Sequence, residues 1–161
     1  LGLNGDPYLA ANLCINSLGT RVAFPDATHT LEQIASDFRL AILSNADDAF
    51  LLPVIKFNGW ASDANSWQFQ TIVSSESAQA YKPDPNIFSE FCRYASLKPN
   101  QVLFVGDSPY DDAHGAKMAG MQTVLVAWGF SPPDTLKETT ALLMPSVAAL
   151  HAFLQVPRQD D

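Results

Sequence analysis

Three short stretches hold the side chains best suited to chemistry. "LAILSNADD" carries Ser44 and Asn45, "YKPDPNIF" carries Lys82, and "VGDSPYDDAHGAKMAGM" carries Asp107, Asp111 and Asp112. A hydroxyl beside backbone N–H groups can cradle a phosphoryl oxygen. An ammonium can pair with a phosphate and with a carboxylate that attacks it. A carboxylate at a strand end can hold Mg²⁺, which takes one or two protein carboxylates and keeps several waters. Each stretch also has a plainer reading. Ser and Asn are common turn residues, a Lys before a capped helix is usually solvated, and acids gather at helix starts because the free N–H groups and dipole favour them. That plain reading is strong for Asp111, fair for Asp112 and poor for Asp107. His29, His114, His151 and Ser108 lack the spacing of a triad or a metal site and read as structural or surface residues.

The elements that must position these residues follow from apolar patterning. Leu40 to Leu43, Thr71 to Val73, Val102 to Val105 and Thr123 to Val126 are short apolar runs, expected as strands buried on both faces of a parallel sheet. Between the second and third, Asn86 to Leu97 has apolar residues three or four apart, with Asp84 as N-cap and Pro85 at the first helical position. A second helix is expected from about Asp111 to Ala119, closed by Gly120. Leu1 to Thr20 reads as a helix and Pro145 to Leu154 as a closing one, with a frayed tail from Pro157. Alternating strands and helices predict an α/β fold with a doubly wound, Rossmann-like parallel sheet. Ligands bind at the carboxyl ends of such strands, where Ser44, Asn45 and Asp107 lie.

Composition narrows the partners. With 161 residues and 47% hydrophobic content the chain can bury a core. A net charge of −8, with only nine Lys and Arg, argues against a nucleic-acid surface. No apolar run approaches the roughly 20 residues that span a bilayer, so no membrane partner is expected. Cys14 and Cys92 show no metal or disulfide spacing and read as small core residues of a cytoplasmic protein. Nothing in the sequence fixes an oligomeric state. A nucleotide-binding Rossmann domain is disfavoured, because no G-x-G-x-x-G run follows the first strand.

Taken in order, "LAILSN", "YKPDPNIF" and "VLFVGDSPYDDAHGAKMAG" followed by "TVLVAW" resemble the haloacid dehalogenase-like hydrolase superfamily over roughly Phe24 to Leu154. The resemblance implies that Ser44, with Asn45 beside it, binds the phosphoryl group and that Lys82 stabilises its charge. It implies Asp107 as a Mg²⁺ ligand and Asp112 as the second acid, bound to the metal or supporting it through water. Asp111 lies where relatives often carry Asn, which suits a helix cap. True haloacid dehalogenases need no metal and usually lack the Gly-Asp pair, so the intact "GDS" tilts the expectation toward a Mg²⁺-dependent phosphatase of a small-molecule phosphate ester. The implied reaction is attack by an Asp on phosphorus, then hydrolysis of the aspartyl-phosphate. The alternatives are a non-catalytic phosphate- or protein-binding relative and a 2-haloacid dehalogenase.

The family's first motif, a strand ending in D-x-D-x-T or D-x-x-x-T that supplies the nucleophile, departs from the pattern: the chain has no D-x-D. The nearest match is Asp26 with Thr30 in "VAFPDATHTL", but Pro25 suits a central strand poorly, and the stretch fits better as the turn before a helix. The expected organisation is therefore the end of a helical cap over 1–20, an α/β core with the second to fourth motifs over 21–156, and a flexible tail over 157–161. A missing first strand would belong between those ending at Ser44 and Asp107, and its absence would leave unpaired backbone groups there.

Overall fold

A computed structural model of the chain describes residues 5–61, 68–126 and 142–155. The N-terminal helix α1 (Pro7–Gly19) starts where Asp6 accepts the N–H of Tyr8 and Pro7 fills the first turn. Helix α2 (Ala27–Ile34) leads into strand β1 (Ala41–Ser44), followed by α3 (Asp48–Phe57). Strand β2 (Thr71–Ser74) passes directly into a single turn, α4 (Ser75–Ala78), and then to α5 (Pro85–Ala95). Strand β3 (Leu103–Gly106) is followed by a π-helical turn (Pro109–His114) that runs on into α6 (Gly115–Met118). Strands β4 (Gln122–Val126) and β5 (Leu142–Met144) and helix α7 (Val147–Leu154) complete the described chain.

Among the described residues every strand pairing is parallel: β1 with β2, and β3 with β4 with β5. The α/β Rossmann-like architecture expected from the sequence is thus present, but its strands form two ladders. Strands β1 and β3, which deliver Ser44 and Asp107, are not hydrogen-bonded to each other. Helix α5 joins the ladders instead. Its apolar stripe buries Ile87, Phe88 and Phe91 in one core with Val73 of β2 and Phe104 of β3, and the Phe88 and Phe104 rings meet edge to face at 5.6 Å. A smaller cluster of Val124, Met144 and Leu150 seats α7 on β4 and β5.

Several expectations need correction. Strands β1 and β3 are not buried on both faces: Leu103 and Val105 are exposed while Phe104 between them is buried. Only one side of β3 is covered by the α5 core. Helix α1 packs on α3 and buries only Gly19, where a Cβ would come within 2.9 Å of Pro53. Leu9, Leu13 and Cys14 are consequently exposed, so Cys14 is not a core residue, whereas Cys92 is buried. Strand β5 was not anticipated, being three residues long with two of them exposed. The expected tail over 157–161 lies outside the described residues. Among the described residues no helix is long and apolar enough to cross a membrane.

Candidate active site at the strand ends

Ser44 is the last residue of β1, and its hydroxyl oxygen accepts the N–H of Ala46 at 3.1 Å. Among the described residues the hydroxyl proton has no acceptor, so it can donate to a ligand oxygen. The Asn45 side chain turns instead to Lys82: its Oδ1 accepts the Lys82 N–H at 2.6 Å and its Nδ2 donates to the Lys82 carbonyl at 3.1 Å. Below it, the buried Ser75 hydroxyl lies 3.0 Å from the Asn45 carbonyl and 2.9 Å from Asp47 Oδ1. A Ser at the first position of a one-turn helix gave no signal in the sequence.

Lys82 spans the space between the ladders. Its ammonium lies 2.6 Å from Asp112 Oδ1, 3.4 Å from the Leu43 carbonyl and 5.5 Å from the centre of the Phe104 ring. An ammonium has three protons, so two are engaged by Asp112 and Leu43 and, among the described residues, one remains. The pair is largely removed from solvent, with side chains 12% and 5% exposed.

The Asp112 carboxylate is saturated from the other side. Its Oδ2 accepts the N–H groups of Asp107 and Ser108, each at 3.0 Å, which fixes the loop after β3. Gly106 makes this possible, because a Cβ there would fall 2.3 Å from Asp112 Oδ2. The Asp107 side chain, by contrast, is exposed and makes no hydrogen bond or ion pair among the described residues. Asp111 is not the cap of this turn. Ser108 is the N-cap and accepts the Asp111 N–H at 3.1 Å, leaving Asp111 as a first-turn acid. His114 stacks on Tyr110 with ring centres 5.5 Å apart.

Asp26 stands elsewhere. No strand precedes it over residues 21–24; it opens α2 in a left-handed conformation, φ 66°, beside Ser146 and Val147 at the start of α7. The site therefore brings together Ser44, Asn45, Lys82, Asp107 and Asp112, and leaves Asp26 out.

Were Mg²⁺ to bind, Asp107 is the carboxylate that would hold it, as one ligand of a shared site. Asp107 offers one free hard oxygen ligand, and among the described residues no three His, Cys, Asp or Glu side chains cluster as a complete cage. Substrate oxygens and water would supply the remaining ligands.

Comparison with known proteins places this geometry in a class. Residues 16–126 match the family model described as haloacid dehalogenase-like hydrolase, and the chain belongs to that family. Among curated proteins it is 34% identical over 113 residues to (S)-2-haloacid dehalogenase 4A of Burkholderia cepacia, covering 70% of this chain and 46% of the relative. It is 33% identical over 110 residues to phosphoglycolate phosphatase of Nitrosospira multiformis, covering 68% and 46%. A solved dehalogenase with an intermediate complex superposes with a TM-score of 0.81 at 26% identity, over 96% of this chain and 66% of that one. The chain spans about half the length of the curated relatives it matches.

Proposed function

We propose that the full-length protein is a cytoplasmic, Mg²⁺-dependent phosphatase of a small-molecule phosphate ester, with this chain supplying the charge-handling half of its active site. The reading rests most on Asp107, an exposed carboxylate with no partner among the described residues, on the loop that Asp112 and Lys82 hold at the end of β3. An anionic substrate would be repelled by that carboxylate unless a cation lay between them. Bound there, Mg²⁺ would neutralise phosphoryl oxygens and orient the ester.

In this reading Ser44 donates its hydroxyl proton to a phosphoryl oxygen, and Lys82 spends its remaining proton on the same group. Asp112 holds the Lys82 ammonium and the Asp107 loop in place, supporting the metal site without touching the ion. The attacking carboxylate comes from a strand outside residues 1–161, lodged between β1 and β3, and α1 is the end of a cap that selects the substrate. The test is Mg²⁺-dependent hydrolysis of an aryl phosphate by the chain extended upstream. No turnover, or turnover unchanged by Asp107→Asn, removes the proposal.

A second reading, a 2-haloacid dehalogenase, is favoured by the 34% identity to the Burkholderia cepacia enzyme. It requires halide release without added metal. A non-catalytic relative would show neither activity.

A further inference from the structure

The Asn45 side chain lies next to the phosphoryl-binding Ser44, yet both of its polar atoms are spent on the main chain of one other residue. Oδ1 takes the Lys82 N–H at 2.6 Å and Nδ2 gives to the Lys82 carbonyl at 3.1 Å, across 37 residues of sequence. Only a side chain with a donor and an acceptor on one planar group can satisfy both, in the manner of a neighbouring strand. The Lys82 ammonium is in turn held by Asp112 and Leu43. Lys82 is therefore fixed at both ends, and the plane of the Asn45 amide is set by the Lys82 main chain, with one Nδ2 proton and one Oδ1 lone pair not used in that pairing.

We infer that Asn45 is a positioning residue that acts through Lys82, setting where its ammonium projects. Ser75 completes the device, since its hydroxyl reaches the Asn45 carbonyl and Asp47. The kinetic part of this inference rests on the phosphatase reading; the structural link does not.

The link is tested on the chain as it stands by lysine acylation with an N-hydroxysuccinimide ester, followed peptide by peptide in the mass spectrometer. In Asn45→Ala the rate at Lys82 rises at least roughly fivefold, the population change expected when two hydrogen bonds together worth about 1 kcal/mol or more are lost, while Lys56, Lys98 and Lys117 keep their rates. The isosteric Asn45→Asp, which keeps the acceptor and loses the donor, gives a smaller rise at Lys82 and guards against a misfolded alanine variant. No rise at Lys82 in either variant, or an equal rise at these four lysines, overturns the inference. With the chain extended upstream and an aryl phosphate, Asn45→Ala lowers kcat and leaves KM within about twofold. A raised KM with kcat intact would instead make Asn45 a substrate ligand. If no ester is hydrolysed but Lys82 labelling still responds, the phosphatase reading fails and the positioning link stands.

Discussion

The ammonium of Lys82 lies 2.6 Å from Oδ1 of Asp112, and the other oxygen of that carboxylate gathers the N–H groups of Asp107 and Ser108. One buried acid thus ties the residue that follows β2 and α4 to the loop that follows β3. Among the described residues the two ladders share no strand pairing, and this ion pair and the α5 core link the elements that carry Ser44 and Asp107. Three donors on one carboxylate explain why Asp112 is buried while Asp107 faces outward.

Removing Asp112 leaves a buried ammonium and two loop N–H groups without their acceptor. Asp112→Ala is expected to cost about 3–5 kcal/mol in urea unfolding, the range for breaking a buried pair on one side. Asp107→Asn, at an exposed and unpaired position, should stay within about 0.5 kcal/mol of the parent. Equal effects of the two substitutions would contradict the division of labour between these acids.

Gly106 is constrained by the same carboxylate. A methyl group 2.3 Å from Asp112 Oδ2 forces the loop or the acid to move, so Gly106→Ala should destabilise by about 1–3 kcal/mol. In the Asp112→Gly background that cost should largely vanish, since Oδ2, Cγ and Cβ, the three Asp112 atoms the methyl would meet, are all gone, whereas Asp112→Ala keeps the Cβ and should relieve it only in part. A double-mutant cycle measures the coupling; strict additivity would mean that Gly106 matters for another reason.

The two thiols should separate in reactivity. Burial pushes the Cys92 thiol above its ordinary range, so it carries less thiolate at any given pH, and its sulfur is shielded in the α5 core. Cys14 is exposed on α1. At pH 8 a disulfide reagent should modify Cys14 at least about tenfold faster than Cys92 in the folded chain, with the difference lost in urea. Comparable rates in the folded chain would contradict the packing of α5.

Much of the scaffold was legible because local chemistry and tertiary role coincide. Asp84 and Pro85 start α5 as their types require, the Asp84 carboxylate accepting the Asn86 N–H at 2.8 Å. Gly120 closes the helix before β4 at φ +84°, a conformation that suits glycine. The apolar runs located four of the five described strands. Strand β5 escaped because "LLM" is too short to show a period, and the exposure of Leu9 and Leu13 escaped because spacing marks an apolar face without saying what covers it.

The candidate site was legible as residues that the fold brings together and less so in how those residues contact one another. Ser108 rather than Asp111 caps the turn, since a hydroxyl at the N-cap reaches the third N–H of the turn and an acid three residues later does not. The pairing of Asn45 with the Lys82 main chain spans 37 residues, and no local pattern encodes it. Gly106 had a visible signal, a glycine between an apolar strand and an acid. Its reason, the Asp112 oxygen, is visible only in three dimensions.

The most direct test of the proposed chemistry is the initial rate of aryl-phosphate hydrolysis by the chain extended upstream, measured across a Mg²⁺ titration for the parent and Asp107→Asn. The rate should depend on Mg²⁺ in the parent and fall by at least about a hundredfold in the variant, the scale expected when a preorganised charge-stabilising element is lost. Metal-independent turnover of the phosphate, or halide release from 2-chloropropionate with no metal and no phosphatase activity, would contradict it.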